Sequence, residues 1–144
     1  MKVFIENEAN SDQKNIFDEK TLEYKKTYIV SRKYPFPYGF IPETTSGDGD
    51  CLDCFVLTNR PLAKGAMVEA EPIGLMEQIE DGEEDHKILA VLPGEDFELT
   101  DIVKAQLKEF TEHVFDHKEG KKMCVGNFYD KDKALEALAD SQDK

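Results

Sequence analysis

The chain has 144 residues, 40% hydrophobic and 10% aromatic, and 31 acidic against 18 basic side chains set its formal net charge at −13. That length suits one domain over residues 1–144, able to bury a core without disulfide staples, and the apolar share excludes a disordered acidic tail. The charge repels nucleic-acid phosphates and anionic lipid headgroups, so neither nucleic acid nor membrane is expected as a partner.

Taken in chain order, residues 3–6 read as an opening strand, and acid arrives at Glu6 and Glu8 before any signal-like apolar region develops. No run approaches the ~18 apolar residues of a membrane helix. Three cysteines suit a reducing compartment, and a cytoplasmic protein is expected. Residues 22–30 carry Leu22, Tyr24, Tyr28 and Val30 at a rough period of two, which predicts a strand. In Tyr34-Pro35-Phe36-Pro37-Tyr38-Gly39-Phe40 the prolines enforce extended backbone, and most of the rings are expected in the core. Residues 54–58 and 87–92 are apolar runs of strand length. Residues 67–76 read as one longer strand whose Pro72 and Gly74 call for an edge or a bulge. From Asp101 the residues Val103, Leu107, Phe110 and Val114 recur at helical spacing, predicting a helix that ends near His117, with Gly120 beyond it. A strand over 123–128 and a short helix from about Lys131, carrying Leu135 and Leu138, complete the chain. The pattern is mainly β with α, an α+β fold built as a small β-barrel with helices packed on it.

Chemistry concentrates in Ser46-Gly47-Asp48-Gly49-Asp50-Cys51-Leu52-Asp53-Cys54. Its carboxylates repel one another unless cations sit between them, and the glycines permit tight turns that aim side chains inward. Oxygen-only donors favour Mg²⁺, Mn²⁺ or Ca²⁺ over zinc. The spacing is not that of an EF-hand, because Asp53 stands where the loop glycine belongs and Asn59 where the closing glutamate belongs. A solvated acidic turn is the other reading of this segment. The stretch Glu80-Asp81-Gly82-Glu83-Glu84-Asp85-His86-Lys87 reads alone as an exposed hairpin loop, yet its place between two strands allows the fold to bring it beside Asp48–Asp53. Cys51 and Cys54 have redox or zinc spacing, but strand follows them rather than helix, and buried reduced thiols fit better. His113 and His117 lie one helical turn apart without the intervening Glu of a metalloprotease, which leaves them as solvated helix residues.

Asp48-Gly49-Asp50-Cys51-Leu52-Asp53, entered through Tyr38-Gly39-Phe40-Ile41, resembles the signature of family I soluble inorganic pyrophosphatases. The likeness runs on through Pro61-Leu62-Ala63-Lys64-Gly65, Pro72-Ile73-Gly74 and Asp85-His86-Lys87-Ile88-Leu89-Ala90-Val91. It implies an OB-like five-stranded β-barrel with a long helix in the C-terminal half and a short terminal helix. It also implies hydrolysis of pyrophosphate to two phosphates with several Mg²⁺ ions, Mn²⁺ being the alternative, and a homo-oligomer, a hexamer in bacterial relatives. Residue by residue, Asp48, Asp53 and Asp85 match metal ligands, joined by Glu80 and by Glu6 of the first strand. Asp50 matches the aspartate that deprotonates the attacking water between metals. Lys14, Tyr38, Lys87 and Lys26 match substrate contacts, Lys26 standing where the family has an arginine and losing its bidentate fork. Ile16 replaces an acidic residue, and Val114-Phe115 replaces a Tyr-Lys pair, so outer contacts are thinned. A weakened or inactive metal- or phosphate-binding module of the same fold is the alternative function.

Overall fold

The computed structural model describes residues 1–143 and is a mixed α+β fold, mostly strand with two helices. In chain order its elements are β1 (Lys2–Asn7), β2 (Gln13–Phe17), β3 (Tyr24–Ile29), β4 (Tyr38–Ile41), β5 (Leu52–Val56), β6 (Met67–Glu69), β7 (Glu71–Glu80), β8 (Glu83–Glu84), β9 (Lys87–Val91), α1 (Asp101–His113), β10 (Met123–Asp130) and α2 (Lys131–Ser141). The main sheet runs β10-β7-β9-β5-β4-β1-β6, with β8 folded back on β7, while β2 and β3 form a separate two-stranded hairpin. Five of the strands along that path, β7, β9, β5, β4 and β1, are consecutive neighbours. Among the described residues no helix is long and apolar enough to cross a membrane.

Period-two alternation sorts the strand side chains onto two faces. On one face Val3, Ile5, Cys54, Val56, Ile88 and Ala90 pack under Ala134 and Leu138 of α2. On the other, Tyr38, Phe55, Met76, Leu89 and Val91 pack with Tyr34 and Phe36 against Val103, Leu107, Phe110 and Val114. The helical spacing in the sequence therefore names the buried stripe of α1 correctly, and Thr100 caps its first turn by accepting from the Val103 amide. The Pro-rich aromatic stretch is core, as expected. Its Gly39 is required by close approach, because a Cβ there would lie 1.7 Å from the Phe4 carbonyl oxygen of β1.

Four expectations are corrected. Residues 67–76 are two strands, since the chain turns at buried Ala70 so that β6 pairs β1 while β7 pairs β9 and β10. The register shift between Pro72 and Gly74 is the bulge their presence called for, in a strand paired on both sides rather than at an edge. The 22–30 strand is shorter and belongs to the hairpin, where Tyr24, Tyr28 and Ile29 are exposed. The long helix ends at His113 and continues as a turn, and on α2 it is Ala134, not Leu135, that joins Leu138 in the core.

Candidate active site

The face covered by α1 opens, at the start of β5 and β9, into a basin of about 1070 Å³. Strand pairing builds its floor. Parallel β5 and β9 set Asp53 opposite Lys87, and antiparallel β7 sets Met76 against the same lysine. By alternation Asp53 and Lys87 share the face of Phe55 and Leu89, and Gln78 and Glu80 follow Met76 onto it. Lys87 is buried, and its ammonium donates to Asp53 and, at 2.8 Å, to Asp85, while lying 5.6 Å over the Tyr38 ring. Burial would pull this lysine down, but the two carboxylates more than offset it and hold it above its ordinary range. Asp85 is itself pushed up, because its burial outweighs the attraction of Lys87. Buried Gln78 reaches Asp85 from β7 at 3.4 Å.

A loop supplies the second group of acids. Ser46 donates to the Asp48 carboxylate, which also accepts the Asp50 amide at 3.0 Å, and Gly49 turns the chain with φ 88°. This short-range turn leaves Asp48 and Asp50 exposed at the rim, with Asp50 raised by partial burial and by Asp48. The β2–β3 hairpin crosses to meet it: Glu19 accepts the Cys51 amide at 3.0 Å. The hairpin is tied to β1 by Asn15, whose amide donates to Asn7 at 2.6 Å and whose side chain donates to the Glu6 carbonyl at 2.9 Å. That tie brings Lys14 beside Glu6. Burial, then Asp53, raises the Glu6 carboxyl to about 8, and burial lowers Lys14.

Glu6, Asp48, Asp50, Asp53, Glu80 and Asp85 all line the basin, together with Lys14, Tyr38 and Lys87. The second acidic segment is both things it was read to be. Asp81 and Gly82, with φ 50° and 88°, make a tight β7–β8 turn, while Glu80 and Asp85 flank the basin. Glu80 is held at 2.8 Å by Lys121. Lys26 lies elsewhere. It is exposed on β3, over the Tyr28 ring, and Lys25 lines the basin in its stead. Ile16, Val114 and Phe115 do reach the basin wall, so the departures noted in the sequence fall at the site itself. Polar side chains at the site that the sequence did not single out include Glu19, Gln78, Lys25 and Thr111. Alternation from Glu80 pointed to Gln78; nothing local in the sequence pairs Glu19 with Cys51. The cysteines are free thiols, burial pushes Cys54 up and Cys51 to about 11, and His113 and His117 bond Asp116 and Ser31. Among the described residues no three His, Cys, Asp or Glu side chains converge as a ready metal cage; the Lys87 ammonium lies between Asp53 and Asp85.

In sequence and in fold the chain is similar to known hydrolases. The family model described as inorganic pyrophosphatase matches residues 3–144. An inorganic pyrophosphatase of Nanoarchaeum equitans is 31% identical, the match covering 97% of this chain and 94% of that protein. A soluble inorganic pyrophosphatase of Arabidopsis thaliana is 37% identical over 98% of this chain and 69% of its own. The solved pyrophosphatase of Coxiella burnetii superposes with a TM-score of 0.88 at 28% identity, covering 98% of this chain and 92% of that one. That from Neisseria gonorrhoeae gives 0.88 at 30% identity, over 98% and 88%. The fold is that of a class of phosphoanhydride hydrolases. The chain belongs to the inorganic pyrophosphatase family.

Proposed function

We propose that this chain hydrolyses pyrophosphate to two orthophosphates, residues 1–144 acting as one domain. The observation that carries the reading is the meeting of Glu6, Asp48, Asp50, Asp53, Glu80 and Asp85 with Lys14 and Lys87 in one basin of a chain of this family. In this reading Asp50 is the general base and takes a proton from the water that attacks phosphorus; its position at the loop rim leaves it open to that water. Lys14 and Lys87 grip phosphate oxygens, and the Tyr38 hydroxyl, held firmly protonated by burial, donates to one. Phosphate competes with Asp53 and Asp85 for Lys87.

The donors suit divalent cations. They are all oxygen, and burial first, with neighbouring carboxylates adding to it, raises Glu6, Asp50 and Asp85. Mg²⁺ keeps several waters and is commonly held by one or two carboxylates plus substrate phosphates, so it needs no preformed cage. Asp48, Asp53 and Asp85, with Asp50, Glu6 and Glu80, are the residues to hold such ions. When bound, several Mg²⁺ (or Mn²⁺) ions activate water and neutralise charge on the leaving phosphate.

Lys26 outside the basin and Ile16 and Phe115 on its wall favour a second form of this reading, an enzyme weakened at its outer contacts. Each lost charge-assisted contact is worth ~1.5–3 kcal/mol, ten- to a hundredfold. Phosphate release from pyrophosphate with Mg²⁺, compared with Asp50→Asn, tests the proposal; no release above the variant leaves a binding module. A homo-oligomer, hexameric by family resemblance, draws support from exposed Ile29 and Ile102, 60% and 75% accessible, and is checked by sedimentation. A cytoplasmic setting is in keeping with three free thiols.

A further inference from the structure

The hairpin that β7 forms with β8 and β9 keeps one register from Met76 opposite Lys87 to Glu80 opposite Glu83, which sets Gln78 opposite Asp85. Strand is nevertheless interrupted at Asp85 and His86, between the end of β8 and the start of β9. Such a pair ordinarily exchanges two main-chain bonds. One is made, the Asp85 amide donating to the Gln78 carbonyl at 2.9 Å. The other is diverted: the Gln78 amide donates at 3.1 Å to ring Nδ1 of His86. A side chain has taken the place of the Asp85 carbonyl, at a step of the hairpin that carries an acid of the basin.

Gln78 is buried, so its amide must keep a partner. Without the ring the regular partner is the Asp85 carbonyl, and accepting that bond turns the Asp85–His86 peptide into ladder geometry. The Asp85 carboxylate rides on the same stretch of chain. As the chain stands, it meets the Lys87 ammonium at 2.8 Å and the Gln78 side-chain amide at 3.4 Å. The ring is oriented for its task. Because Nδ1 accepts, the imidazole proton sits on Nε2, which lies 3.5 Å from exposed Glu84. Alternation turns His86 away from the face of Asp85 and Lys87, and it is not among the residues that line the basin. Its effect on the site therefore passes through Asp85.

We propose that His86 is a positioning residue: by accepting the Gln78 amide, its Nδ1 holds the Asp85 main chain out of the regular ladder and so fixes the Asp85 carboxylate on Lys87, beside Asp53. For its effect on the reaction the inference rests on the pyrophosphatase reading, in which Asp85 holds a cation; the placing of Asp85 does not. Partners that orient a metal-binding side chain without touching metal or substrate typically change metal affinity or activity by ~10–100-fold when removed. His86 itself transfers no proton and forms no bond to substrate in this role.

The test compares the full chain as wild type, His86→Asn, His86→Gln and His86→Ala. Asparagine carries its oxygen on Cγ, where histidine carries Nδ1, whereas glutamine carries it one bond further out. Crystal structures without divalent ions should show the Asp85 carboxylate kept on Lys87 in His86→Asn. In His86→Ala it should be withdrawn, with the Gln78 amide bonded to the Asp85 carbonyl. With Mg²⁺ and pyrophosphate, His86→Ala and His86→Gln should lose about tenfold in kcat and need more Mg²⁺ for half-maximal rate. KM for pyrophosphate at saturating Mg²⁺ should stay within about twofold, and His86→Asn should recover most of both losses. An unmoved Asp85 in His86→Ala overturns the inference, as do equal losses in all three variants or losses in none. If wild type does not hydrolyse pyrophosphate while Asp85 shifts as described, the pyrophosphatase reading fails and the positioning role of His86 stands.

Discussion

The basin is made of two halves that hold their acids in different ways. Asp53, Lys87 and Asp85 stand on or beside paired strands, largely buried, with both carboxylates sharing the one Lys87 ammonium. Asp48 and Asp50 stand on a loop, exposed, and their hydrogen bonds come mainly from the loop's own Ser46 and backbone. The sheet half fixes where charge sits. The loop half leaves a carboxylate open to water and substrate. Stability and catalysis should therefore come apart when each half is altered.

Lys87→Ala has the largest expected effect, because it strikes both. Removing one member of a buried ion pair strands its partners, at a cost of ~3–5 kcal/mol; urea unfolding without divalent ions should show a loss of that order. Mg²⁺ should restore more stability to this variant than to wild type, since Asp53 and Asp85 then have no protein cation. Pyrophosphate turnover should also collapse. If the midpoint moves by under 1 kcal/mol, the strand half is not the structural one.

Asp50→Asn is the converse. Loss of a general base costs ~10²–10⁴-fold in kcat, while an exposed loop carboxylate beside Asp48 contributes no stability to lose. Turnover should fall by that factor with the unfolding midpoint unchanged or slightly raised. A drop in both would merge the two halves.

The same division governs what was legible in the sequence. The Asp48–Asp53 cluster is visible because its residues are adjacent, and α1 because a helix repeats its buried face every three or four residues. Glu6, Glu80 and Lys14 came only with family resemblance, since their meeting depends on β1, β7 and the hairpin finding their registers. In the hairpin the period of two predicts a strand, and two strands off the main sheet leave its Tyr24, Tyr28 and Ile29 exposed. Local pattern reports that a strand forms; it does not report what covers it. Lys26 shows the same limit, one register position turning it from the basin to solvent while Lys25 lines the wall.

Glu6 separates the halves by pH. Its folded value of about 8 lies above the ordinary 4.5, so between those values the folded chain keeps a proton that the unfolded chain has lost. Stability from this group is thus complete below about 4.5 and falls as pH rises toward 8. In metal-free protein, Glu6→Gln should raise Tm at pH 8 by ~4 °C or more, since ~1 kcal/mol moves Tm by a few degrees in a domain of this size. The difference should vanish near pH 5 and shrink with Mg²⁺, whose charge serves the carboxylate and not the amide. A gain that is the same at both pH values would mean the substitution acts through packing.

Glu19 offers the smallest effect and the sharpest cut, because it joins the halves without belonging to either. Its carboxylate spans from the hairpin to the Cys51 amide, three residues past Asp48 and one past Asp50. A hydrogen bond of this charged kind contributes ~1.5–3 kcal/mol where it is sheltered, but the two loops it links are otherwise exposed, so most of that should appear as loop order rather than global stability. Glu19→Ala should lower kcat about three- to tenfold with KM for pyrophosphate nearly unchanged, and amide exchange should quicken at Cys51 while staying slow along β5 and β9. Glu19→Gln, whose amide oxygen still accepts from the Cys51 amide, should recover most of the rate. If Ala and Gln lose equally, the charge of Glu19 rather than its hydrogen bond serves the site, and the loop half would then extend onto the hairpin as a further carboxylate.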